Sequence, residues 1–232
     1  MKIFSNDKLI KRNGRIGNIT SLLSILILGV GMYFSFKDKD GTYLPLTFAA
    51  LIIGFLSFQV GNYFMARWGK PPRPDQKLSQ ALKGLDDKYS LYHFQTVVSH
   101  LLIGPSGIYC FLPYNQSGNI SYNDKKSRWK QSGGNFFLKT FGGESIGRPD
   151  LDSKYAVADI TKFFIKKDID LGSYLPEAII VFTNSKAYVN NDNAETPAVT
   201  IEKLKELIRK RGKLNVISVE LLNQIHEKIQ PK

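Results

Sequence analysis

Residues 97–115 read VVSHLLIGPSGIYCFLPYN. Two apolar runs, Val97–Ile103 and Ile108–Leu112, flank Gly104-Pro105-Ser106-Gly107. Proline pre-sets φ and glycine permits positive φ, so the four residues predict a turn between two returning strands. Such a hairpin can hold a divalent metal when carboxylates stand at its strand ends, because Mg²⁺ prefers hard oxygen ligands. Those places hold Ser99, Leu112 and Tyr114. Leucine cannot bind a metal, serine is a weak neutral ligand, and tyrosine brings no cation. His100 could serve as a general base, yet no acidic residue adjoins it, and it reads as a structural residue of the hairpin. His93 and His226 read as isolated, and three histidines with one cysteine give no zinc spacing. No Walker loop and no Gly-x-Ser-x-Gly elbow occurs. Cys110 lies inside an apolar strand and reads as a small buried residue. A single cysteine excludes an intramolecular disulfide.

A second chemistry is carried by Lys125, Lys126, Arg128 and Lys130 around Trp129. Cations around an aromatic can hold single-stranded nucleic acid by phosphate contact and stacking. The bland reading is a solvated strand edge, where lysines discourage edge-to-edge pairing. Gly142–Gly147 is glycine-rich and reads as a loop. Its Glu144, with Asp75 and Asp124, offers the route to a rebuilt acidic cluster.

The elements that position these residues begin with a membrane hairpin. Ile16–Phe36 is 21 residues without a charge, about 30 Å of helix and the thickness of a bilayer's hydrocarbon core. A polar link, 37–42, joins it to a second uncharged span, 43–66. Gly29, Gly31, Gly54 and Gly61 could let the two helices approach closely. The charge distribution agrees: residues 1–73 hold ten Lys/Arg against three Asp, leaving only +5 of the net +12 to the other 159 residues. The basic stretch 1–15 and the basic, proline-rich linker 67–74 flank the spans, which predicts both termini in the cytoplasm, facing an anionic leaflet of the cell membrane.

Residues 75–232 predict an α/β domain with a mixed sheet flanked by helices. A helix is expected at Asp75–Lys83 and a strand at Tyr89–Phe94, followed by the hairpin. Short strands at Ile120–Tyr122, Ser127–Lys130 and Asn135–Thr140 would continue as an antiparallel meander. Tyr155, Ala156, Ile160, Phe163 and Phe164 give helical period over 150–167. Glu177–Thr183 reads as a strand buried on both faces. A helix over Thr200–Arg211 closed by a C′ glycine, Gly212, a strand at Leu214–Ile217 and a helix capped by Ser218 complete the order.

Several stretches together resemble one family, the nuclease-related domain. They are Gln76–Leu82, the hairpin, Gln116–Ile120, Trp129, PEAIIVFTN at 176–184 and Thr200–Leu204. The resemblance covers roughly residues 74–212 and implies a restriction-endonuclease-like α/β fold. His100, Gly104, Pro105, Gly107, Asn115 and Gly118 match the family's hairpin. The family's Asp falls on Ser99, its Glu on Leu112, its Lys on Tyr114 and the acidic residue of its first helix on Gln76, beside Asp75. A later glutamine falls on Asp152. The departures therefore coincide with the catalytic positions. The expectation is a membrane-anchored domain without nuclease activity that binds nucleic acid or another protein and needs no cofactor. One alternative is a nuclease with relocated ligands and Mg²⁺. Another is a membrane scaffold or assembly protein.

Overall fold

The computed structural model describes residues 1–133, 145–212 and 217–229. Among the described residues the chain divides into two units: residues 7–73, and an α/β unit formed by residues 1–6 together with those from Pro74 onward. The helical unit is thus an insertion between two segments of the α/β unit.

The helical unit holds α1, Asp7–Lys37, and α2, Leu44–Phe64, whose last turn runs on as a π-helical turn, Met65–Gly69. Both helices are long and apolar enough to cross a membrane. Their mutual face is made of small residues. A Cβ on Gly31 would stand 2.7 Å from the Ala50 Cβ, and one on Gly61 would stand 2.5 Å from the Ser21 Oγ. Gly54 is filled in the same way by Leu28. Gly29, expected at this face, has nothing within 4 Å of its Cβ position and takes no part. Large apolar side chains point outward instead, Leu22 and Ile25 being 62% and 65% exposed.

In the α/β unit, β1 (Lys2–Ser5), β2 (Ser90–His93), β3 (His100–Gly104), β4 (Gly107–Tyr114), β7 (Glu177–Phe182) and β9 (Ala198–Thr200) form one six-stranded mixed sheet in the order β1-β2-β3-β4-β7-β9. β4 runs parallel to β7, and β2-β3-β4 is an antiparallel meander. One face packs on α3 (Pro74–Ala81) and α5 (Leu204–Arg211) through Leu78, Leu91, Leu102, Phe111 and Ile208. The other packs on α4 (Pro149–Lys166) and α6 (Val219–Ile229) through Leu101, Cys110, Ile160, Phe164 and Ile225.

The first 15 residues do not form one basic segment: Lys2–Ser5 is a sheet strand, and α1 begins at Asp7. β1 lies parallel to β2, with Phe4 stacked on Tyr92 at 4.9 Å. The meander also stops at β4. β5 (Gly118–Asn123), β6 (Arg128–Ser132) and β8 (Ala187–Asn190) make a separate three-stranded sheet, because β7 takes the edge of β4 that β5 would have used. Gly212 closes α5 at φ −64, an ordinary right-handed value, not the left-handed cap expected. Ser218 does cap α6, its Oγ accepting from the Leu221 N–H at 3.2 Å. The strand expected at 135–140, Glu144 and most of the strand expected at 214–217 lie outside the described residues.

Candidate functional site

Alternation along a strand places Cys110, Leu112 and Tyr114 on one face, the face toward α4. Leu101 pairs with Cys110, the last pair of the β3–β4 ladder. Ser99 just precedes β3 and Tyr114 ends the antiparallel β4, so Ser99, Leu112 and Tyr114 lie toward the same end of the sheet. Ser99 is exposed, whereas Leu112 and Tyr114 are half-buried. The Tyr114 hydroxyl donates to the Asp152 carboxylate of α4. At the start of α4, Arg148 grips Asp150 from two nitrogens at 2.7 and 3.1 Å, which holds the Asp150 carboxyl below its usual range. The resemblance aligns Tyr114 with the family's Lys and Asp152 with its later glutamine, and here the two side chains touch.

A cation does reach this end of the sheet, but from a helix. Lys77 of α3 donates to the Asn115 Oδ1 and the Thr183 carbonyl, both at 3.2 Å. Burial lowers its pKa. Thr183 and Asn184 bond Asn115 in turn, at 3.2 Å each, which ties the C-terminal ends of β4 and β7 together. Beside this knot Gln116 donates to the Ser145 carbonyl at 3.1 Å, while its Oε1 is buried without a partner among the described residues.

Gln76 lies elsewhere, on the outer side of α3, where it lines an open cleft of about 510 Å³ with Met1, Ile3, Asp75, Ser79 and Gln80. Asp75 is buried, whereas Asp124 is exposed and accepts from the Asn193 side chain at 2.8 Å. Among the described residues no group of three or more His, Cys, Asp or Glu could hold a metal ion.

The cation cluster divides. Lys125, Lys126, Arg128 and Lys130 are exposed, but Trp129 is 5% exposed and packs in the core of the small sheet against Tyr122 and Phe182. Its ring offers no face for a base to stack on.

His93, which reads as isolated in the sequence, is the partner of His100. His93 and His100 close the β2–β3 hairpin as a cross-strand pair, with their Nδ1 atoms 2.8 Å apart. The Ser79 Oγ lies 2.9 Å from the His93 Nε2. His226 also has partners: its Nδ1 lies 2.7 Å from the Tyr92 hydroxyl. Burial, with Lys2 nearby, lowers the His226 pKa. Burial pushes the Cys110 thiol up to about 12, so it stays protonated and inert.

No family model, curated protein or solved structure matches this chain.

Proposed function

We propose that this chain is a membrane-anchored, nuclease-like domain that has lost metal-dependent cleavage and works as a binding module at the cytoplasmic face of the cell membrane. The observation that carries the reading is that Ser99, Leu112 and Tyr114 lie toward one end of the sheet. That is where a nuclease of this architecture would assemble its metal ligands. The residues present supply a hydroxyl, an alkyl group and a phenol already bonded to Asp152. The order helix, three antiparallel strands, helix, parallel strand supports the restriction-endonuclease-like assignment. Anchoring is supported by the two helices that put small residues inside and large apolar ones outside, as lipid-facing helices do. Both helix ends return to the same α/β unit, so a membrane-crossing hairpin keeps the chain's two α/β segments on one side.

The ligand proposed for the module is a nucleic-acid backbone held by Lys125, Lys126, Arg128 and Lys130. With Trp129 buried, contact is to phosphates, without base stacking. Fluorescence anisotropy of a labelled DNA duplex, with the full chain in nanodiscs, tests this. Expected is binding that weakens as salt rises, with a slope set by about three to four phosphates, and that is lost on changing all four cations to Ala. No binding at low salt overturns the nucleic-acid assignment and moves the module to a protein partner. A cleaving version of the same architecture is favoured by one feature, the Lys77 ammonium at the end of β4, and a metal-dependent nick in the DNA would establish it.

A further inference from the structure

On the opposite face of the sheet from Leu112, three side chains form a continuous hydrogen-bonded row ending at the cleft. Ser79 Oγ, His93 and His100 are joined at 2.9 and 2.8 Å. Both rings are almost fully buried, 1% and 2% exposed, while Ser79 is half-buried and lines the cleft. We propose that Ser79 is the nucleophile of a hydrolytic site for small uncharged carboxylic esters, with His93 as its general base and His100 as the residue that positions His93.

One proton arrangement gives the row the polarity of a serine nucleophile. The Ser79 hydroxyl donates to the His93 Nε2, the His93 Nδ1–H donates to the His100 Nδ1, and the proton of His100 resides on its Nε2. A neutral imidazole in third place orients His93 and fixes its tautomer, although it stabilises the imidazolium less than a carboxylate would. Burial holds both rings where packing puts them, so the base is preorganised. Gln76 precedes Ser79 by three residues, one helical step on the same face, and Gln80 follows it. Both are exposed on the cleft, and the Gln80 amide N–H can meet the carbonyl oxygen as it becomes negative. Met1 and Ile3 give the acyl group an apolar wall.

In the reaction the Ser79 Oγ bonds the ester carbonyl carbon as its proton passes to the His93 Nε2. The bond from that carbon to the alcohol oxygen breaks, and the departing alcohol takes the proton from His93. Water then attacks the acyl-serine and gives a proton to His93. The carboxylic acid leaves as that proton returns to the Ser79 oxygen. No metal is required, so the site stands or falls separately from the nuclease-like reading.

The full chain in detergent micelles is treated with a fluorophosphonate, whose phosphorus bonds serine oxygen as fluoride departs, and the adduct is mapped by mass spectrometry. p-Nitrophenyl acetate hydrolysis is followed in parallel. Expected are one adduct per chain, on Ser79, and hydrolysis at least about tenfold above buffer. Ser79→Ala should abolish both while keeping the circular dichroism spectrum, since alanine suits a helix. His100→Gln should slow hydrolysis by about tenfold or more and shift its pH profile, which a purely structural histidine would not do. Absence of an adduct on Ser79 in folded wild-type protein, or hydrolysis undiminished in Ser79→Ala, overturns the proposal. DNA binding is expected to be unchanged in both variants, so the two readings fail separately.

Discussion

The two units of this chain solve opposite packing problems. In the α/β unit, Phe164, Phe182 and Ile180 are fully buried and, Asp75 apart, the charged side chains of the described residues stay at least partly exposed. In the helical unit the buried positions of α1 and α2 are mostly Gly, Ala and Ser, while Leu22, Ile25, Phe48 and Ile52 face out. The first pattern uses water to drive apolar groups together. The second would have no use for that force if lipid surrounds it, because an outward leucine is as content in lipid as against another helix. Close approach of backbones then becomes the source of cohesion. The difference is the one that two solvents would produce, water around the α/β unit and lipid around the helical unit, and it can be tested by substitutions that mean different things in the two media.

The largest effect is expected at Phe182→Ala. This ring fills the small-sheet core between Tyr114 and Trp129, and its loss should lower the stability of the α/β unit by about 3–5 kcal/mol, read as a shift in the denaturant midpoint. Next comes Ile25→Lys in the middle of α1. At a water-exposed position such a change costs within about 0.5 kcal/mol; in a membrane-spanning helix it costs about 3 kcal/mol of insertion free energy. A microsomal insertion assay separates the two, and undiminished insertion would break the comparison. The smallest effect is at His226. Its folded pKa is lowered, so in the window between that value and the ordinary one the unfolded chain binds more protons. Stability is therefore complete above about pH 6.5, the ordinary histidine value, and is lost as pH falls through the folded value. His226→Gln should flatten a plot of melting temperature against pH over that range.

The hairpin of helices was legible because length and hydropathy are local properties. The buried strand at 177–182 was legible for the same reason. β1 was not: four residues carry no usable period, and their partners lie at Ser90–His93, far along the chain. Trp129 was misread although its pattern was available. Arg128, Trp129 and Lys130 alternate outward, inward, outward, the period of a half-buried strand, and that period turns the ring away from any ligand. The His93–His100 pair needed the register of β2 on β3, and a strand expected to start at Val97 gave no reason to look for it. The placing of Ser99, Leu112 and Tyr114 toward one end of the sheet followed from the hairpin alone, whereas the reach of Lys77 across to Asn115 depends on how α3 docks.

The central claim, that the nuclease-like site has lost its metal chemistry, is tested most directly by titrating Mg²⁺ and Mn²⁺ into the full chain in nanodiscs by calorimetry, with a DNA cleavage assay on the same sample. The full chain is the appropriate sample because residues 1–6 belong to the α/β unit. The account predicts no saturable binding and no cleavage with either metal. Saturable binding accompanied by cleavage, both removed by Asp75→Asn, would contradict it.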